Sequence, residues 1–221
     1  MGALSSVHWE TVTPELRALL ETIGQCAFVS RFYLAGGTAL ALRLGHRRSL
    51  DLDFFSSVDG VTRATRLEIL QTLVSVGAET LEDVDGNLLL EVQGVHVGFF
   101  SYSYTLLQPT VSVAGVALAG IADIGLMKLD ALISRGARKD FYDLFWIAQQ
   151  MSLSDLLVLG RDKYPYARDF EWQAVESLVF FDNADRDVQP LLLVEAPWEE
   201  VKAFFCAEAR RLGNVWLEET G

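Results

Sequence analysis

The hydrophobic period changes once along this chain, near residue 120, and that change limits the fold more than any other feature. Before it, short runs alternate or cluster in the manner of strands. FYLA (32–35) is apolar and broken by Gly36-Gly37. LDLDFF (50–55) has period two. TLEDV and NLLLEV flank Asp85-Gly86, a hairpin signal. GVHVGFFSY and TVSVAGVALAG follow as further strands or a hairpin. Three helices are expected among them. The first covers 14–28, with Thr13 as N-cap, Pro14 at the first position, and Leu16, Leu19, Leu20, Ile23 and Ala27 at helical spacing. The others cover 38–44, stopped by Gly45, and 61–76. From Ile121 the pattern is helical over 121–135, 139–150, 153–160 and 168–181. After a loop around Pro190 and Pro197, a last helix is expected over about 198–211. The strands are largely not separated by crossover helices. The reading is therefore α+β: a mixed sheet with flanking helices over 1–119, then a helical region over 120–221 packed on it.

Composition supports a folded chain. Its 221 residues are 51% hydrophobic with five prolines, enough for one core with a helical appendage. The net charge of −12 repels nucleic acid in bulk. An RNA partner would need a local basic patch. The candidates are His46-Arg47-Arg48 and Arg135 with Arg138 and Lys139, against ordinary solvated surface charge. The opening residues, MGALSSVHWE, lack a secretory pattern, and no run is long enough for a membrane span. Cys26 and Cys206 lie in apolar helical patterns and read as reduced thiols, so a cytoplasmic location is expected.

The chemistry begins at LDLDFF. Asp51 and Asp53 are two apart on a strand and share a face, opposite Leu50, Leu52 and Phe54. Two adjacent carboxylates repel unless one is protonated or a cation lies between them. Hard oxygen donors suit Mg²⁺ or Mn²⁺. The alternative is the wet face of an edge strand. Upstream, the Gly36-Gly37 turn and the helix start at Thr38 can bring free backbone N–H groups to a phosphate, or can be an ordinary tight turn. Lys128 lies in a helix that is apolar nearly all round, so it either snorkels or meets a negative partner: a phosphate, Asp130 or the D-x-D pair. In RKDFYDLFWIA, Asp140 and Asp143 share a face opposite Phe141, Leu144, Phe145 and Ala148. Their structural alternatives are a first-turn carboxylate and a Lys139–Asp143 pair.

Taken together, GGTALALRLGHRRSLDLDFF and DIGLMKLDALISRGARKDFYDL resemble the AbiEii/AbiGii toxin-like nucleotidyltransferases. FEWQAVESLVFFDNADRD and WEEVKAFF also resemble that family's C-terminal half. The resemblance implies a polymerase-β-like nucleotidyltransferase core with a helical appendage. It matches Gly37 and Thr38, with Gly36 beside them, to the nucleotide-binding turn, and Asp51 and Asp53 to the metal pair. It matches Lys128 to a basic motif and Asp140 with Asp143 to a later acidic motif. Arg47 joins Lys128 as a cationic candidate for the nucleotide's phosphates. The implied activity is Mg²⁺-dependent (or Mn²⁺-dependent) transfer from an NTP to an acceptor such as tRNA. The implied setting is a toxin–antitoxin pair with a cognate antitoxin. One departure stands out. Where such enzymes carry a third carboxylate on a neighbouring strand, GVHVGFFSY offers Gly98, with His96 on the same face. The alternative reading is therefore a catalytically reduced nucleotide-binding or partner-binding protein on the same fold.

Overall fold

The computed structural model describes residues 6–219, with side chains up to 214. It divides into two compact units, Met1–Gly120 and Ile121–Gly221. The first unit holds a seven-stranded mixed sheet. Its strands are β1 (Tyr33–Ala35), β2 (Asp51–Ser56), β3 (Ala78–Val84), β4 (Asn87–Val92), β5 (Val95–Ser101), β6 (Val111–Val113) and β7 (Val116–Leu118), in the order β3-β4-β5-β2-β1-β7-β6. Pairings β2/β5 and β1/β7 are parallel and the others antiparallel. The expected α+β class and mixed sheet are what the chain forms.

Alternation decides which side of this sheet is core. Leu52 and Phe54, Val97 and Phe99, and Leu88 and Leu90 are fully buried on one face. There Phe54 and Phe99 stack at 5.1 Å, and Phe28 and Phe32 meet Phe99 edge-on. Helix α1 (Pro14–Ile23) begins as expected, with the Thr13 hydroxyl accepting from the Leu16 N–H. It stops at Ile23 rather than continuing to residue 28, because Gly24 packs directly against the Ala114 carbonyl and leaves no room for another helical turn's side chain. Residues Ala27–Arg31 form a separate 3₁₀ turn. Helix α2 (Gly36–Leu44) starts at the glycines themselves, and α3 (Arg63–Leu73) ends a turn earlier than its pattern suggested.

The second unit is helical: α4 (Ile121–Ser134), α5 (Arg138–Ala148), α6 (Leu153–Lys163), α7 (Phe170–Ser177), α8 (Asp182–Arg186) and α9 (Trp198–Glu219). The single helix expected over 168–181 is shorter, ends at Ser177, and is followed by the separate α8. Phe141, Tyr142, Phe181, Trp198 and Phe205 form an aromatic cluster where α5 meets α9. A fully buried pair, Lys163 Nζ to Asp123 Oδ1 at 2.7 Å, ties α6 to α4. Among the described residues, no helix is long and apolar enough to cross a membrane.

Candidate functional site

In the first unit, the ladder arranges the face opposite the core as three rows. Asp51 pairs with His96, which pairs with Glu91. Ala35, Asp53, Gly98 and Leu89 form the middle row. Tyr33, Phe55, Phe100 and Asn87 form the third. Paired residues share a face and so do residues two apart, so Asp51 and Asp53 lie together on this side. Both are partly exposed, while Leu52 and Phe54 beneath them are sealed. Leu50, expected on the face opposite the aspartates, precedes the strand and is 55% exposed. The His96 Nδ1 lies 3.6 Å from Asp51 Oδ1.

The glycine turn abuts this pair. Gly36 has φ +66°, in the left-handed region, and a Cβ there would lie 2.9 Å from Asp53 Oδ2. Glycine is thus required twice, by the backbone and by the carboxylate against it. A side chain at Gly37 would collide with the Arg47 guanidinium and crowd the Ser49 hydroxyl. Helix α2 starts here without a side-chain cap, so its first N–H groups carry the positive end of the helix dipole.

Thr38 behaves differently from its expectation as a phosphate contact. It is 1% exposed, and its hydroxyl bonds inward to the Asp51 carbonyl and lies 2.8 Å from Ser49 Oγ. It pins the helix start to the strand that carries the carboxylates. Arg47 and His46 are also buried, at 5% and 1% exposure, which removes them from the surface basic patch considered above. Arg47 instead lies against Gly37 and donates from Nη1 to the Arg48 carbonyl at 2.9 Å.

Two partly exposed carboxylates suit Mg²⁺, which keeps much of its water and takes further ligands from substrate phosphates. Among the described residues, no group of three or more His, Cys, Asp and Glu side chains is arranged to hold a metal.

Position 98 holds a feature that the sequence reading missed. A Cβ on Gly98 would overlap the ring of Phe100, so the place for a third carboxylate is filled by an aromatic ring. Phe100 in turn packs on Phe55 at 5.1 Å. The alternation that placed Asp51 and Asp53 together also places Phe55 and Phe100 on this face, so the signal was present in LDLDFF and HVGFFS.

In the second unit, Lys128 joins Asp140 and Asp143. Its Nζ lies 2.7 Å from an oxygen of each, and neither aspartate is exposed. Arg135 holds Asp140 with two bonds, at 2.8 and 3.0 Å. The expected partner Asp130 is exposed instead, and Lys139 does not take Asp143. The acidic and apolar faces assigned to α5 also need correction. Asp140, Phe141, Tyr142, Asp143 and Leu144 are all buried, so the acidic positions are core as well, while Lys139 is exposed and Phe145 and Ala148 are only half-buried. Burial alone would raise the Asp140 pKa. The charge of Lys128 and the bonds from Arg135 outweigh it, and the carboxyl lies below its ordinary value. Arg138 is bound to the Ala184 and Asp185 carbonyls and sits over Trp198, which makes it a tie within the helices rather than a basic patch.

The fold and sequence have known relatives. MenT4, a nucleotidyltransferase toxin of Mycobacterium tuberculosis H37Rv, aligns with TM-score 0.54 and 17% identity over 87% of this chain and 83% of its own. A putative nucleotidyltransferase from H. pylori aligns with TM-score 0.51 and 16% identity over 97% and 96%. ANT(2'')-Ia, in complex with adenylyl-2''-tobramycin, aligns with TM-score 0.52 and 14% identity over 69% and 98%. At these identities the likeness establishes a nucleotidyltransferase fold. The uncharacterized protein aq_aa25 of Aquifex aeolicus (strain VF5) is 34% identical over 200 residues, covering 86% of this chain and 92% of that one. Residues 17–113, which include both aspartates and the glycine turn, match the family model described as "Nucleotidyl transferase AbiEii toxin, Type IV TA system". The chain belongs to the AbiEii nucleotidyl transferase toxin family.

Proposed function

We propose that this chain is a metal-dependent nucleotidyltransferase that moves a nucleotide from an NTP to an acceptor hydroxyl, tRNA being the candidate acceptor that the family resemblance offers. We propose further that it acts as the toxin of a toxin–antitoxin pair, restrained by a cognate antitoxin. The observation that carries the reading is the pair Asp51 and Asp53, side by side on one face and abutting the Gly36-Gly37 turn at the start of α2. Asp51 and Asp53 would hold Mg²⁺ or Mn²⁺. When bound, the ion offsets charge on the triphosphate and favours loss of the acceptor's proton. The free N–H groups at Gly36 and Gly37 receive phosphate oxygens, and Arg47 supplies positive charge behind the turn. The acceptor oxygen bonds to the α-phosphorus, the α–β bridge breaks, and pyrophosphate leaves. Lys128, Asp140 and Asp143 form a buried charge network within the second unit, and its role in this reading is to hold α4 and α5 together.

A second reading is favoured by one specific observation. With Phe100 over Gly98, a third carboxylate has no room, which suits a protein that binds nucleotide without transferring it. The two readings part in one experiment. Pure protein is incubated with each labelled NTP, Mg²⁺ and total RNA. Transfer of label that the Asp51→Asn/Asp53→Asn variant lacks supports the enzyme. Binding of NTP without label transfer supports the second reading, and equal transfer by the variant refutes the assignment of the pair.

A further inference from the structure

We infer that Phe100, braced by Phe55, forms a stacking platform for one unpaired nucleobase, held beside the Asp51–Asp53 carboxylates. This deepens the nucleotidyltransferase reading and rests on it. The argument starts from Gly98. Its φ is not left-handed, so the backbone does not require glycine there. What the glycine supplies is space, and the Phe100 ring occupies that space by leaning back from its own row across the middle row, next to Asp53. Phe100 is braced from the other side by Phe55, with ring centroids 5.1 Å apart and planes 32° apart. Phe55 is braced by Tyr33 and by Tyr102.

The two faces of these strands use aromatic residues differently. Phe54 and Phe99, one position along, are wholly buried core. Phe55 and Phe100 are only half-buried, on the side that carries the carboxylates. An apolar ring kept partly open next to a charged pair gains little from burial. It suits a ligand with a flat π-face and polar edges. The rows are about 7 Å apart along a strand, so a base on this platform has its sugar and phosphate within reach of Asp53. Stacking of this kind accepts every base, because each has a π-face.

The base can come from the NTP or from the end of the acceptor strand, and one set of titrations separates these sources. The full chain in Mg²⁺ is titrated with tripolyphosphate, each NTP, a short single-stranded RNA and the same RNA with an abasic 3′ end. Phe100→Leu keeps the apolar volume and removes the ring; Phe100→Tyr keeps the ring. Loss of one stacked base should weaken binding about 5- to 150-fold. Phe100→Leu should do so for NTPs, or for the intact RNA, and leave tripolyphosphate unchanged. Phe100→Tyr should bind as wild type. A loss confined to NTPs assigns the platform to the incoming nucleotide. A loss confined to RNA, absent with the abasic end, assigns it to the acceptor. Equal affinity of wild type and Phe100→Leu for every probe overturns the platform and leaves the enzyme reading standing. A wild type that binds neither NTP nor RNA overturns both. Should Phe100→Leu unfold, Phe55→Leu is read against the same outcomes.

Discussion

Replacing Lys128 with methionine tests the charge network of the second unit. The ammonium lies 2.7 Å from both Asp140 and Asp143, and its side chain is 6% exposed. Methionine fills a similar volume but removes the charge. Asp140 keeps its two bonds from Arg135, and Asp143, a carboxylate with no exposure, loses an ammonium at 2.7 Å. Breaking a buried pair by removing one partner costs about 3–5 kcal/mol. For a chain of this size each kcal/mol shifts Tm by about 2–4 °C. The expected drop is thus about 6–20 °C in thermal unfolding followed by circular dichroism. Lys128→Met/Asp143→Leu should recover much of it, because both charges of that pair are gone and the remaining buried carboxylate, Asp140, keeps Arg135. The pH dependence has a definite sign. The Asp140 carboxyl is held below its unfolded value, so its contribution is fully present above about pH 3.9 and fades as pH falls through the folded pKa. Without Lys128 the folded pKa rises, and acid unfolding should begin at higher pH. A Lys128→Met protein that melts within about 2 °C of wild type, or a double variant no better than the single, would refute the reasoning.

Gly36→Ala should destabilise the first unit by more than about 1 kcal/mol, through both the positive φ and the contact with Asp53 Oδ2; unchanged urea unfolding would count against a strained turn. Gly98→Asp should be strongly destabilising alone and much less so with Phe100→Ala, a non-additivity that a double-mutant cycle reads directly. Asp143→Asn should lower Tm, because it takes one of the two carboxylate charges from the buried Lys128 ammonium; an unchanged melting temperature would count against the network.

The strands were legible because their signals are local. Period two in LDLDFF and Asp85-Gly86 between two apolar runs need no knowledge of the rest of the fold. The family resemblance pointed to Gly98 on a neighbouring strand, and the structure pairs it with Asp53. What stayed hidden depends on partners distant in sequence. Lys128 could be seen either to snorkel or to meet a negative partner, but periodicity cannot say which carboxylate arrives. Two came from α5, which the pattern had split into an acidic and an apolar face. Likewise, HRR reads as surface charge until His46 is found buried and Arg47 folded in against the glycine turn. The end of α1 was misjudged for a similar reason, because the Ala114 carbonyl that meets Gly24 lies far down the chain.

The position of β1 has a consequence for synthesis. It lies inside the sheet, between β2 on one side and β7 on the other, with Leu34 paired to Leu118 and the Ala119 N–H donating to the Leu34 carbonyl. A nascent chain emerging from the ribosome can pair β1 with β2 early. The other edge of β1 waits until Leu118 has been made. At about 5–20 residues per second, that edge stays open for seconds, carrying Leu34 and free backbone groups able to pair with another chain. Any fragment that stops short of β7 keeps it open permanently.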